Sequence, residues 1–175
     1  AKTIGLDDRS ALEAAAGEAL KLADLVIVTG GASVGERDFA KPMFAAHGLE
    51  LIFAKVAIKP GKPVWLGRAA GKWVLGLPGN PTSAMVTARL FLLPLLARLQ
   101  GQPTSYAMQW RKLPLAAPLG ATGNRETFVR ARWDEAGLVP LGNQDSGAQG
   151  PLAAADWLIR CPVGQTALEP GQIVS

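Results

Sequence analysis

The chain has 175 residues, 49% of them apolar, and a formal net charge of +4, so it is long enough for one large domain, or one domain plus a small one, with a real core. Its lysines and arginines are dispersed except between Lys55 and Lys62, which argues against nucleic-acid binding, because that needs a basic stripe interleaved with aromatic side chains. A single cysteine, Cys161, excludes an internal disulfide and a cysteine-ligated metal cluster, and it fits a reducing, cytoplasmic compartment.

The first predicted elements are the end of a strand at residues 3–6 and a helix that ends near Leu22. A serine and a glutamate have the spacing of a capping box at the start of this helix. Either of the two preceding aspartates could instead favour the helix N-terminus through its dipole. The residues concerned are Asp7, Asp8, Ser10 and Glu13.

A glycine-rich turn, T-G-G-A-S-V-G at residues 29–35, follows a predicted buried strand at 25–28 and precedes a predicted helix at 39–47. Uncovered backbone N–H groups in such a turn, with the positive end of the helix dipole, make a seat for an anion such as phosphate. Ser33 adds a hydroxyl donor. The glycine spacing matches neither the Rossmann nor the Walker pattern, so a plain tight turn remains the alternative.

His47 is the only histidine, and its position before Gly48 favours a helix C-cap over a catalytic triad or a metal ligand. Any chemistry must therefore rest on Lys, Arg, Asp, Ser and backbone amides. That inventory suits the handling of oxyanions and phosphates, where positioning and charge do most of the catalysis.

A strand predicted at residues 50–56 leads into a loop that carries Lys55, Lys59 and Lys62. The prolines of the K-P-G-K-P segment restrict the loop backbone and keep the lysines close together. This clustering favours a compact anionic ligand, and a solvated charged loop is the alternative.

A third strand, Lys72 to Leu77, ends in an L-P-G-N-P turn, where Asn80 suits a helix N-cap and Pro81 the first helical position. The helix is predicted to run from Pro81 to Leu99. Its longest apolar run, residues 90–97, is shorter than the ~20 residues of a membrane span, so we predict a buried helix.

The pattern changes at residues 100–104, and we place a domain boundary there, between residues 1–102 and 103–175. The second part has short alternating segments with frequent glycine and proline, which is typical of a small β-barrel or sandwich. Val129 and Ala131 share one face of a predicted strand, and Phe128 and Arg130 share the other. The strands are predicted at 108–113, 127–133, 138–141, 157–160 and 172–174.

Three motifs resemble the molybdopterin molybdenumtransferase family, of the MoeA and gephyrin E-domain type, in both order and spacing. They are G-G-A-S-V-G-E-R-D-F-A-K from Gly30, A-I-K-P-G-K-P from Ala57 and G-L-P-G-N-P-T-S-A from Gly76. The resemblance implies an α/β fold in which a three-layer, MogA-like molybdopterin-binding domain, truncated at its N-terminus, precedes a small all-β barrel domain. It also implies a longer polypeptide with further N-terminal domains, and a homodimer.

The resemblance places Asp7 and Asp38 at acidic active-site positions, where Mg²⁺ is the natural ion to offset their repulsion from a phosphate. It gives catalytic roles to Lys55 and Lys59 as well. The further substrate-binding residues it implies in the first domain are Gly30, Gly31, Ser33, Gly35, Lys62, Pro63, Pro78, Gly79, Asn80, Pro81 and Ser83.

In the second domain the resemblance implies two molybdate ligands. Arg125 lies in the segment N-R-E-T-F-V-R, and Ser146 in G-N-Q-D-S-G, where related sequences often continue Ser-Ser-Arg but this chain has Gly147 and Ala148. Without the resemblance, both residues would be interpreted as exposed polar groups.

The implied function is the insertion of molybdate into adenylylated molybdopterin, with release of AMP. One alternative is a molybdopterin adenylyltransferase, which shares the fold of the first domain but lacks the L-P-G-N-P motif. Another is a non-catalytic scaffold on the same fold. Because the family's active site uses further domains and a second subunit, we expect little catalysis from this piece alone.

Overall fold

The computed structural model describes residues 8–30 and 39–175. The chain divides into two compact units. The first combines the residues up to Val56 with Gly61–Asn80, and the second combines Ala57–Pro60 with Pro81–Ser175. The predicted strand at residues 3–6 lies outside the described residues.

The first unit contains a four-stranded mixed sheet of β1 (Leu25–Thr29), β2 (Glu50–Phe53), β4 (Trp65–Ala69) and β5 (Lys72–Leu77). Their order in the sheet is β1-β5-β4-β2. Strand β1 pairs in parallel with β5, while β4 pairs in antiparallel fashion with β5 on one side and β2 on the other. The prediction of β5 is confirmed residue for residue, whereas β4 was not predicted.

The core of the first unit forms around Trp65, which is fully buried. Ala16 and Leu20 of helix α1 (Arg9–Leu22) belong to the same cluster, and so does Phe44 of helix α2 (Pro42–Ala45), whose ring meets the indole edge-on. Gly76 lets this indole lie directly on β5, because a Cβ there would be 1.9 Å from the indole Nε1. The packing of β4 against β5 therefore depends on the absence of a side chain.

The predicted capping box at the start of α1 is wrong. Asp8 caps the helix instead, since its carboxylate accepts hydrogen bonds from the Ala11 N–H and the Ser10 hydroxyl, each at 2.8 Å. These bonds, led by that of Ala11, lower the pKa of the Asp8 carboxyl. Glu13 pairs with Arg9 at 2.8 Å.

Helix α2 is shorter than predicted and ends at Ala45. His47 lies beyond it, with its ring Nε2 2.8 Å from the Glu13 carbonyl oxygen. A Cβ on Gly17 would come within 2.8 Å of this ring, so the glycine leaves room for the imidazole against α1. The histidine therefore ties α1 to the turn after α2.

The predicted helix from Pro81 to Leu99 is confirmed as one continuous helix. It consists of α3 (Pro81–Thr87), a π-helical turn (Ala88–Leu92) and α4 (Leu93–Leu99). Pro94 explains the π turn, since it cannot donate a main-chain hydrogen bond and its ring crowds the carbonyl one turn earlier.

The helix predicted to be buried over residues 90–97 is half-buried over most of that run. Ala97 is the buried residue there, and Leu93 is exposed. In the described part of the chain this is the one helix long and apolar enough to cross a membrane, which by itself is weak evidence for a span.

The second unit is a small β domain. Its strands are β3 (Ile58–Lys59), β6 (Leu113–Pro114), β7 (Glu126–Asp134), β8 (Gly137–Pro140), β9 (Trp157–Cys161) and β10 (Ile173–Val174). The nine-residue strand β7 lies at its centre. One edge of β7 pairs with β9, and the other pairs first with β3, in parallel, and then with β8. A separate two-stranded sheet joins β6 and β10.

This arrangement confirms the predicted α/β fold followed by a small β domain, although the strands described in the second unit do not close into a barrel. The strand predicted at 108–113 is wrong over most of its length, because β6 begins at Leu113 and residues 104–107 form helix α5 (Thr104–Ala107). A last short helix, α6, spans Gln149–Ala153. The predicted boundary near residue 102 stays a prediction.

The core of the second unit contains Val129 and Ala131 of β7 together with Ile159 and Cys161 of β9, and Ile159 pairs directly with Val129. Burial raises the pKa of the Cys161 thiol to about 11. The thiol is therefore protonated at neutral pH and packs as a small apolar group.

Candidate functional site

Two of the predicted site residues, Lys59 and Arg125, line one cavity of about 400 Å³ in the second unit. Its walls come from β3, from the loop between residues 118 and 125, from the first half of β7 and from the segment after β8. We call this the cationic cavity.

Strand pairing brings the two cations together. Ile58 is buried and lies opposite Glu126, which places Lys59 opposite Thr127 and beside the start of β7. The Glu126 N–H donates to the Ala57 carbonyl at 3.0 Å. Arg125 immediately precedes β7, so both cations lie where β3 and β7 meet. Lys59, which was predicted on a proline-restricted loop, thus lies in a strand.

The loop of residues 118–125, which lines the cavity, is held in place by hydrogen bonds at Thr122. The main chain of Thr122 donates to the Gln165 carbonyl at 2.9 Å, and its hydroxyl donates to the Pro162 carbonyl at 2.6 Å while accepting the Gln165 N–H at 2.9 Å. The Gly164 N–H adds a bond to the Gly123 carbonyl at 3.0 Å. These bonds fix the position of the loop's main chain.

The cavity carries positive charge without a nearby counter-charge. Its lining includes Lys59 and Arg125 and, among the described residues, no aspartate or glutamate. Neither cation forms a salt bridge within the described ranges, and the neighbouring Glu126 is engaged by Arg160. Such a site favours a compact anion.

A buried arginine that sequence reasoning missed braces one wall of the cavity. Arg130 is 1% exposed, and its guanidinium donates to the Asp145 carbonyl from both terminal nitrogens, at 3.1 Å each. Its main-chain N–H and Nε both donate to the Gln144 side-chain oxygen, at 3.0 and 3.3 Å. Gln144 itself lines the cavity.

Burial lowers the pKa of Arg130, and the Asp145 charge acts in the opposite direction. The sequence does hold a signal for this residue. It is the second arginine of N-R-E-T-F-V-R, and it shares a predicted strand face with the apolar Phe128. A long cation on an apolar face needs buried hydrogen-bond partners.

The structure does not bring the other predicted molybdate contacts of the second unit into the lining of this cavity. Ser83 is buried in α3, and Ser146 lies half-buried in the turn after Gln144. Pro81 is the first residue of α3. The roles of these residues stay predictions.

In the first unit, two of the predicted site glycines, Gly30 and Gly79, lie side by side. Gly30 follows β1 and Gly79 follows β5, and the carboxyl ends of these parallel strands share one edge of the sheet. A Cβ on Gly79 would lie 3.2 Å from the Gly30 Cα, and Gly30 has a φ of +85°, so both positions favour glycine. The other predicted residues of this unit that are described are Lys55, Lys62, Pro63, Pro78 and Asn80.

The predicted Mg²⁺ site cannot be located on the described residues. Its two acids, Asp7 and Asp38, and the glycine-turn residues Gly31, Ser33 and Gly35 lie outside them. Within residues 8–30 and 39–175, no group of three or more His, Cys, Asp or Glu side chains could hold a metal ion. The carboxylate-free lining of the cationic cavity does not suit a magnesium ion either.

Two family models match the chain. Residues 1–98 match the model described as "Probable molybdopterin binding domain", and residues 112–175 match the "MoeA C-terminal region (domain IV)". A molybdopterin molybdenumtransferase of Haemophilus influenzae is 47% identical over 108 residues, which cover 62% of this chain and 25% of that protein. One from Staphylococcus aureus is 32% identical over 161 residues, which cover 90% of this chain and 38% of the relative.

Solved structures agree with these matches. A molybdopterin biosynthesis MoeA protein from Pyrococcus horikoshii superposes with a TM-score of 0.75 and 29% identity, over 96% of this chain and 40% of that one. A molybdenum cofactor biosynthesis protein from Pyrococcus furiosus, at 20% identity and a TM-score of 0.71 over 96% of this chain and 54% of that one, shows the shared fold.

A molybdopterin-binding α/β domain followed by a MoeA C-terminal β domain defines the class of protein. The chain belongs to the MoeA family, whose relatives above are named molybdopterin molybdenumtransferases. It spans between 25% and 38% of the length of those two relatives.

Proposed function

We propose that this chain forms part of a molybdopterin molybdenumtransferase, which transfers molybdate to adenylylated molybdopterin and releases AMP. The observation that carries this proposal is the cationic cavity, which Lys59 and Arg125 line together and whose described lining includes no carboxylate. Molybdate is a tetrahedral dianion, and two cations in a carboxylate-free site match its charge.

In this proposal Lys59 and Arg125 bind the molybdate oxygens. The glycine turn seats the phosphate end of the pterin substrate. Lys55 orients the scissile phosphoanhydride. Asp7 and Asp38, which lie outside the described residues, would hold a Mg²⁺ ion, and that ion would supply positive charge to offset the phosphates. The enzyme would act in the cytoplasm as a homodimer.

The match of residues 112–175 to a MoeA C-terminal region supports this function over the adenylyltransferase alternative, which rests on the first domain. The cationic cavity itself is built from the second unit. Its cations would have no evident role in adenylyl transfer confined to the first domain.

The test is molybdate-dependent AMP release by the full-length enzyme carrying Lys59→Ala or Arg125→Ala. Each change removes a charge-assisted contact worth about 1.5–3 kcal/mol, so we expect release at limiting molybdate to fall by about tenfold or more. Lys112→Ala is the matched control, since Lys112 is an exposed lysine of the same unit outside the cavity lining. Unchanged release in both cavity variants would exclude the cavity as the molybdate site.

A further inference from the structure

Arg130 has an unusual set of partners for a buried cation. Every group that accepts from its guanidinium is uncharged: the Gln144 side-chain oxygen, the Asp145 carbonyl and, at 3.4 Å, the Asn143 carbonyl. A charge buried among carbonyls contributes little net stability, because the hydrogen bonds must first offset a large desolvation cost. The pattern therefore calls for an explanation besides stability.

All of these partners lie in one turn, residues 141–148, which begins immediately after β8. Gln144 returns two hydrogen bonds, donating to the Arg130 carbonyl at 2.9 Å and to the Leu141 carbonyl at 2.6 Å. Both polar atoms of its side chain are thus engaged, and the side chain has one fixed orientation at the cavity wall.

The far half of the turn is equally well connected. The Asn143 side chain accepts the Asp145 N–H at 2.9 Å, and the Asp145 carboxylate accepts the Gly147 N–H at 2.9 Å. The Ala148 N–H donates to the Asp145 carbonyl at 3.1 Å, the same oxygen that receives both terminal nitrogens of Arg130. Arg130 is therefore bonded to the residue around which the turn closes.

We propose that Arg130 is a positioning residue of the cationic cavity. It fixes the 141–148 turn, so that Gln144 forms the cavity wall and Ser146 is held in one conformation. The inference rests on the proposed function, because the oxyanion is the ligand whose binding it serves. The planar guanidinium holds two carbonyls and a side-chain amide at once. A lysine ammonium at this position keeps the charge but cannot reproduce that fork.

The experiment uses the full-length enzyme with Arg130→Lys and Arg130→Met, and inorganic molybdate as the titrant. Molybdate affinity is measured by calorimetry, and hydrogen exchange is followed at the amides of residues 141–148. Arg132→Met is the matched control, because Arg132 lies on the same strand but is exposed and makes a single contact, of 4.0 Å, with Asp134.

We expect Arg130→Lys to weaken molybdate binding by about tenfold, as is usual when a group that orients ligands is removed, and to raise exchange in the turn while melting stays close to wild type. Arg130→Met should weaken binding further. In the AMP-release assay the loss should appear in the KM for molybdate, with a smaller change in kcat. Arg132→Met should change neither affinity nor exchange.

If Arg130→Met does not fold, Arg130→Lys decides the matter alone. Wild-type affinity in a folded Arg130→Lys enzyme, with faster exchange in the turn, would overturn the positioning role and leave the proposed function intact. No molybdate binding by the wild type would overturn the proposed function, and with it this assignment.

Discussion

Replacing Gly76 with alanine is expected to destabilise the first unit strongly. The added methyl would lie 1.9 Å from the Trp65 Nε1 and 2.0 Å from Cε2, whereas ordinary contact begins at 3.4 Å, so one of the two must shift by roughly 1.5 Å. Trp65 cannot swing away, because it is fully buried and meets the Phe44 ring edge-on. Movement of β5 is equally costly, since β5 pairs with strands on both sides.

We therefore expect a loss of about 3 kcal/mol, the upper end of the range for overpacked cores. With a urea dependence of about 2 kcal/mol per molar, the unfolding midpoint should fall by roughly 1.5 M. The measurement is urea unfolding of the 175-residue chain followed by tryptophan fluorescence. Gly142→Ala is the control, since its Cβ would meet no atom within 4 Å and its change should stay within about 0.5 kcal/mol. A Gly76→Ala variant within 1 kcal/mol of wild type would refute the packing argument.

Two further predictions concern charge. Gly120 lines the cationic cavity, and a Cβ added there would meet no atom within 4 Å. Gly120→Glu should therefore weaken molybdate binding by about tenfold, while the uncharged Gly120→Gln should bind molybdate with an affinity close to wild type. Equal affinities of the two variants in calorimetry would contradict the electrostatic argument. The hydrogen bond and charge of Lys72, 2.7 Å away, lower the pKa of the Asp24 carboxyl below 3.8, so this pair should add a small stability above about pH 4 that is lost as the pH falls through the lowered pKa. The free energies of unfolding of Asp24→Asn and wild type should therefore differ at pH 7, and the difference should shrink as acid protonates the Asp24 carboxyl.

The sequence predicted the elements that local chemistry defines. Strand β5 is an apolar run closed by a proline-glycine turn, and the helix that begins at Pro81 has a proline at its first position. Strand β4 was missed because W-L-G-R-A contains a glycine and an arginine within five residues, and its strand identity comes from pairing with β5.

The candidate site was predicted only in part, and the reason is sequence separation. Lys59 and Arg125 were identified from motifs, but their shared cavity depends on the pairing of β3 with β7, which joins residues 58 and 126. The role of Arg130 could not be foreseen, because both of its terminal nitrogens donate to main-chain carbonyls of a turn that lies beside β7 only in the folded chain. Side-chain chemistry is visible in a sequence, whereas acceptors supplied by the backbone are not.

The loop held at Thr122 and the cations of the cavity would contribute differently to the selection of a ligand. The main chain of the loop is a fixed frame, so little conformational entropy is lost there when a ligand enters. Lys59 is a long, exposed side chain that can follow an anion of any shape. If the cavity binds an oxyanion as proposed, the flexible cations would select for negative charge, and the fixed loop would select by size among dianions of equal charge.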